Sequence, residues 1–506
     1  MVVKMKNSNV IKNIISSLIV KLVTIIYGFI IPILIIKTFG SEVNGLVSSI
    51  TQFIAYISLL EAGIGPIIKN ALFKPIVEKN SNNIEQILGA SNIFFKKIAY
   101  ILIIYIVILC FVYPHLNQQF STFYTISLII IISISQFSEY FLGMTYKLFL
   151  QADQKNYIVD YISTFGYIAN TILIVILIKL NCNIQLVKLI SSIIFVMKPI
   201  ILKLYFDKNY GFKINKTAEY KFDKQWDGVA HHIAASTQSN VDVTVLTIFD
   251  SFKNISVYSV YALVISGIRA IIVSLTNGID AFFGKKMVNE TEKNINNQFK
   301  VYTFFFYTIS TILIVCTLFL IIPFISIYTK NITDANYIQP AFAYILVLAE
   351  FNYIIRYPYS TIVYAKGHFK ETRNFSIAEP IINIVLSVVL VFNYGLIGVA
   401  IGTFVSMLIR SYGFIIYASK NILKIKLKSA LKMIAISHIE IIIFFVIHLK
   451  LGEIQVNSYV EWLIIAIIIF VVISILIIIT NCILNKDIFK IVLNKMRSKN
   501  EERRIH

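Results

Sequence analysis

Fourteen apolar stretches, each about twenty residues or longer, alternate with short polar loops along this 506-residue chain. They lie near 10–36, 44–72, 94–113, 122–147, 157–180, 184–206, 227–249, 256–284, 301–328, 340–365, 373–392, 395–418, 430–448 and 460–484. About twenty apolar residues coiled as a helix match the hydrocarbon thickness of a bilayer. Backbone in lipid must satisfy its own hydrogen bonds, so the pattern predicts helical spans rather than a soluble core. The expected fold class is all-α integral membrane, with about fourteen transmembrane helices. The first stretch lacks a small-residue cleavage site and is expected to stay as a span.

Charge adds an orientation. The net charge is +20, which by itself suggests an acidic partner such as nucleic acid. Its distribution argues otherwise. About 33 of the 46 Lys and Arg fall at the N-terminus, in the tail, and in loops near 69–97, 147–155, 203–224, 285–300, 366–373 and 420–428. Only Lys37, Lys179, Lys253, Lys330 and Lys450 fall in the alternate loops. This is the positive-inside pattern, with both termini cytoplasmic and no nucleic-acid partner required. The basic tail is either solvated or resting on anionic membrane lipid. Heavy use of Ile, Lys and Asn reads as AT-rich coding and favours a bacterium.

The remaining composition excludes more than it assigns. Cys110, Cys182, Cys316 and Cys482 are scattered, so neither a disulfide framework nor a metal cluster is expected, and no cofactor. Outer loops are too short to house a soluble active site. Nucleophile-elbow, zincin, Walker and dinucleotide-binding motifs are missing from any usable context. The expectation is a membrane transporter and not an enzyme.

The chain also repeats itself. F-G-S-E-V-N-G at 39–45 parallels F-D-S-F-K-N-I-S-V-Y at 249–258; L-E-A-G-I-G-P around Gly63 parallels L-T-N-G-I-D-A around Gly278; L-Q-A-D-Q-K at 150–155 parallels Y-A-K-G-H-F-K at 364–370. The offsets agree at about 210–215 residues. Six spans is an even number, so the two copies share one orientation. That predicts two pseudo-symmetric six-helix bundles around a central cavity, plus two C-terminal helices. The divisions are 1–206, a basic cytoplasmic linker 207–226, 227–419, the extra pair 420–484, and the tail 485–506.

The stretches at 239–261 (S-N-V-D-V-T-V-L-T-I-F-D-S-F-K-N-I-S-V-Y-S-V-Y) and 364–406, together with L-Q-A-D-Q-K at 150–155, resemble Wzx-type polysaccharide flippases of the polysaccharide transporter family. That family belongs to the multidrug/oligosaccharidyl-lipid/polysaccharide exporter superfamily. Its sisters are the multidrug (MATE) exporters and the lipid II flippases. Its usual count is twelve spans, so fourteen departs from it and keeps the lipid II branch open. The resemblance implies a flippase moving an undecaprenyl-diphosphate-linked oligosaccharide to the outer leaflet, for O-antigen, capsule or exopolysaccharide assembly. It also implies alternating access coupled to protons or sodium, with a glycan polymerase or assembly proteins as partners. The alternatives are a lipid II flippase or a cation-coupled multidrug exporter.

A charge at bilayer depth costs about 2.5 kcal/mol or more, so each one calls for a partner or water. Span one carries Lys21, span two Glu61, span four Glu139, span seven His231 and Asp242, span eight Arg269 and Asp280, span ten Glu350 and Arg356, and span twelve Arg410. His231, Gln238 and Asp242 fall within about 40° on one helical face, and Arg269 and Asp280 share another. In the resembled fold, spans one, two, seven and eight line the cavity. Lys21, Arg269 and Arg356 are the candidates for substrate diphosphate. Glu61, Asp242, His231 and Asp280 are the candidates for ion coupling. Asp242 also has a structural reading, as an ion-pair partner of Arg269, and His231 another, as a satisfied interfacial histidine. Lys198 reads as snorkelling to the inner interface. Glu350 and Arg356 point different ways on one helix, so each needs a partner elsewhere.

Overall fold

The computed structural model describes residues 2–61, 63–116, 118–212, 214, 220, 222, 226–276 and 279–488. Much of the 207–226 linker, Gly278 of the repeat and the tail beyond 488 lie outside the described residues. The described residues are helical throughout, without strands. Eleven described helices are long and apolar enough to cross a membrane. The fourteen expected stretches are nonetheless all recognisable. Two of them run together as one 53-residue helix that kinks at Gly395, where φ is +49° and ψ −127°. A third is divided at Arg356, and a fourth, 226–249, contributes a shorter apolar run at Asn240–Phe249. Contacts divide the chain into two compact units, Met1–Ser259 and Val260–His506.

The first unit runs α1 (Val2–Phe39), α2 (Ser41–Ala55), α3 (Ser58–Glu61), α4 (Ile64–Glu78), α5 (Ser81–Leu116), α6 (Thr122–Ser138), a π-helical turn (Glu139–Gly143), α7 (Met144–Ala152), α8 (Asn156–Lys179), α9 (Ile184–Tyr210) and α10 (Trp226–Phe249). It also takes the first residues of α11 (Phe252–Ser274). α1 packs on α8, α6 on α9, and α2 on α10. The core is aliphatic and aromatic, with Leu88, Phe95, Phe149 and Phe206 fully enclosed. Side-chain caps start helices where loops are short: Ser121 accepts from Tyr124 N and Asn183 from Leu186 N.

Span two is not a continuous helix. It breaks between α2 and α3, and again before α4, where Gly63 adopts φ +78° as a left-handed N-cap. A β-carbon is disfavoured in that conformation, so glycine suits the position. Span four is interrupted by the π turn, which seats Gly143 against α9: a β-carbon on Gly143 would stand 2.7 Å from Pro199 Cβ.

The second unit continues α11 and adds α12 (Ile279–Asn289), α13 (Glu292–Tyr328), α14 (Pro340–Ile355), α15 (Tyr357–Ala365), α16 (Phe369–Asn421), α17 (Leu427–Leu451) and α18 (Tyr459–Leu484). α13 is the central helix, packed on α14, α17 and α18; 83% of its most apolar window is buried. α18 lies at the edge of the unit, burying only Ile473, Ile477 and Asn481. Polar contacts tie it to its neighbours: Glu440 on α17 accepts from Asn481 Nδ2 (2.8 Å) and Thr480 Oγ1 (2.6 Å), and Trp462 Nε1 donates to the Leu320 carbonyl of α13 at 3.2 Å.

Candidate functional site

Two sets of charged side chains are built into the units at span depth, and each is organised on a broken helix. In the second unit the break falls at Arg356, between α14 and α15, with Pro358 in the first turn of α15. Pro358 cannot donate a backbone N–H, which loosens the helix there. The Arg356 guanidinium donates to Glu379 (Nη1–Oε1, 3.0 Å), and Arg410 grips the other oxygen of the same carboxylate. All three are buried, and the Glu379 side chain has no exposed surface. Nearby, Arg269 on α11 holds Glu350 with its fork: Nε reaches Oε1 at 2.9 Å and Oε2 at 3.1 Å, and Nη2 also bonds Oε2. Tyr353 connects the two groups. The Arg356 guanidinium lies 3.9 Å and the Arg269 guanidinium 4.3 Å from its ring centroid.

The result is a continuous row, Glu350–Arg269–Tyr353–Arg356–Glu379–Arg410. Three guanidiniums face two carboxylates, an excess of one positive charge. Access is graded along it. The Arg269 side chain is 30% exposed, whereas those of Arg356 and Arg410 are 6% and 3%. Arg269 is therefore the most exposed of the three guanidiniums, while the deeper pair is enclosed on Glu379.

The first unit carries the analogous arrangement with lysines. Glu139, on the π turn, takes Lys147 at 3.2 Å and Lys198 at 3.9 Å. Beside it, Tyr140 donates to Glu61 Oε2 at 3.2 Å. These side chains line a cavity of about 380 Å³ with Ser58 and Gln136. Two ammoniums and two carboxylates balance there. A cation–carboxylate–cation triad thus occurs in each unit; its cations correspond at about the spacing of the sequence repeat (Lys147 with Arg356, Lys198 with Arg410), whereas its carboxylates, Glu139 and Glu379, do not.

α2 and α10 are joined by a polar seam. Ser49 Oγ and Thr247 Oγ1 are 2.5 Å apart, Tyr113 donates to Ser49 at 2.6 Å, and Tyr56 and Thr244 hydroxyls meet at 2.8 Å. At the end of the seam Asn44 Nδ2 donates to Ser256 Oγ at 2.8 Å.

The residues singled out in the sequence end in different settings. Arg269, Arg356 and Arg410 share one row, and Glu61 lines the first unit's cavity. Glu350 and Arg356 each find a partner on another helix. Asp242 is buried and accepts from Tyr258 at 2.7 Å, and Arg269 is held by Glu350. His231, Gln238 and Asp242 are all buried, as a shared face requires; both amide atoms of Gln238 lack a hydrogen bond. Lys21 stands on the exposed side of α1 beside Leu18 and Leu22, with no carboxylate within 4 Å among the described residues. The side chain of Asp280 lies outside the described residues. Lys198 turns to Glu139 rather than simply snorkelling. Glu379 escaped the sequence reading; its signal was a carboxylate directly before Pro380 inside an apolar stretch.

No protein-family model matches the chain, and no curated protein matches its sequence. Solved structures do match. The chain is similar to the lipid II flippase MurJ in an inward closed conformation, at 18% identity and a TM-score of 0.61, over 94% of this chain and 100% of that one. It is similar to an inward-facing multidrug resistance MATE family transporter of the MOP superfamily, at 11% identity and a TM-score of 0.59, over 80% and 95%. It is also similar to the MATE multidrug transporter DinF-BH, at 16% identity and a TM-score of 0.55, over 81% and 95%. At these identities the likeness concerns architecture: the chain is a multi-pass helical protein with the fold of MOP superfamily transporters.

Proposed function

We propose that this protein is a flippase that carries an undecaprenyl-diphosphate-linked oligosaccharide from the inner to the outer leaflet of a bacterial plasma membrane, for surface polysaccharide assembly. The observation that carries this reading is the net-cationic row ending at the partly accessible Arg269. Guanidinium forks suit phosphate oxygens, and a row with surplus positive charge disfavours the organic cations that many drug exporters carry. A second observation supports a lipid-linked saccharide. The lipid II flippase matches 94% of this chain, against 80–81% for the two multidrug transporters.

In this reading Arg269 meets the diphosphate, and Arg356 stands behind it in the same row. Glu61, Asp242 and His231 are the groups offered to a proton or sodium ion. The α2–α10 seam, at the ends that the loop charges assign to the exterior, parts for release.

The test is accessibility of a fluorescent undecaprenyl-diphosphate oligosaccharide in proteoliposomes. The reading expects faster translocation than in empty vesicles, and at least a tenfold loss in Arg269→Ala. No acceleration, or full activity in that variant, defeats it. Translocation of lipid II alone moves the protein to the lipid II branch, and ion-dependent efflux of cationic dyes moves it to the multidrug branch.

A further inference from the structure

The cavity of the first unit differs in kind from the Arg269 row. α3, α6, the π turn, α7 and α9 wall it, and its volume of about 380 Å³ suits a small-molecule site. The π turn builds it. Gly143, lacking a β-carbon, lets the turn close on Pro199, and this sets Glu139 opposite Lys198. Such turns are rare and recur at functional sites.

Its charges cancel: with Glu61 and Glu139 ionised, Lys147 and Lys198 balance them. The Arg269 row keeps one positive charge in surplus. A balanced space offers little net attraction to an ion of either sign, least of all where the dielectric is low. Its hydrogen-bonding capacity is nonetheless unspent. Among the described residues the Lys198 ammonium makes no hydrogen bond, at 3.9 Å from Glu139, and neither does the Ser58 hydroxyl. Tyr140 takes one oxygen of Glu61 and Lys147 one oxygen of Glu139, which leaves Glu61 Oε1 and Glu139 Oε2 free to accept. Polar groups at span depth call for partners.

Spare donors and spare acceptors in one neutral space suit a ligand whose groups do both, and a hydroxyl is such a group. Phe195 adds an aromatic wall, fixed by edge-on contacts with Tyr27 and Tyr167. A pyranose presents hydroxyls around its rim and C–H groups on its faces, so it matches both kinds of wall. We propose that this cavity is a subsite for the uncharged saccharide of a lipid-linked substrate. Such a role presupposes that cargo and so rests on the flippase reading. Lys198 and Ser58 donate to sugar hydroxyls, Glu139 Oε2 accepts from one, and Phe195 meets a ring face, while Glu61 stays with the coupling ion. α7 and α9 lead from the cavity to loops that the charge pattern assigns to the cytoplasm, the side from which the headgroup enters.

Competition binding to the full chain in nanodiscs tests it. The fluorescent undecaprenyl-diphosphate oligosaccharide is displaced either by its unlabelled form or by undecaprenyl diphosphate without sugars. Wild type is expected to prefer the glycosylated lipid. Lys198→Gln should cut that preference about tenfold and Ser58→Ala about threefold, as for a charged and a neutral hydrogen bond. The Ser58 hydroxyl has no partner to lose, so the second variant keeps the fold. Arg269→Ala should weaken both lipids alike. An unchanged preference in both cavity variants, or equal loss for the two lipids, overturns the saccharide subsite and leaves the flippase reading standing. So does a wild type that binds both lipids equally. A wild type that binds neither defeats the flippase reading itself, and the subsite with it.

Discussion

Gly45 lies against Phe252 so closely that a β-carbon there would fall 1.8 Å from the Phe252 carbonyl oxygen. The contact is with backbone, which has no rotamer to yield. It lets the start of α2 press on the α10–α11 turn, next to the Asn44–Ser256 hydrogen bond. Gly45→Val is expected to hold this end of the seam apart. With the four native cysteines replaced, Asn44→Cys and Ser256→Cys should cross-link on oxidation, and Gly45→Val should abolish the cross-link. If the seam is a gate, oxidation stops transport and a reductant restores it.

Glu379 neutralises two buried guanidiniums at once. Glu379→Gln leaves Arg356 and Arg410 facing each other without a counter-charge, and breaking such a buried pair costs about 3–5 kcal/mol. A marked fall in Tm in detergent is expected. Replacing all three residues by apolar side chains of similar size should recover much of that stability, because a buried ion triad offsets its own desolvation only partly. Transport in that triple variant reports whether the deep charges act beyond holding Arg269 and Tyr353 in place.

Arg269 and Tyr353 should respond differently to conservative change. Lysine at 269 keeps the charge but loses the fork on Glu350, so Arg269→Lys is expected to lose roughly tenfold in translocation rate, about 1.4 kcal/mol. Tyr353→Phe keeps the ring under both guanidiniums and should stay within about twofold, whereas Tyr353→Ala should approach the Arg269→Lys value. The readout is initial translocation rate at matched protein density.

Gly395 separates two spans within α16 at φ +49°, ψ −127°, a region closed to residues with a β-carbon. Gly395→Ala is expected to destabilise by about 1–3 kcal/mol, read as a lower Tm, without altering Arg269 or its partners. An unchanged Tm would mean that the kink relaxes freely.

The hydrophobic pattern alone determined the helical class and the fourteen stretches, because in lipid each span must close its own backbone bonds. Lone charges in apolar runs were equally legible, since their cost marks them wherever they fall. Their partners were not. Periodicity reports which residues share a face of one helix. Arg269 meets Glu350 across 81 residues, and Arg356 meets Arg410 only through Glu379. Nothing in the linear pattern marks Tyr353 as the ring on which the Arg269 and Arg356 guanidiniums both lie. Lys198 read as a snorkelling lysine until the π turn brought Glu139 to it. Those pairings depend on how helices cross, which packing between distant segments decides. Only the tertiary structure could therefore turn a set of costly charges into a row with one accessible end.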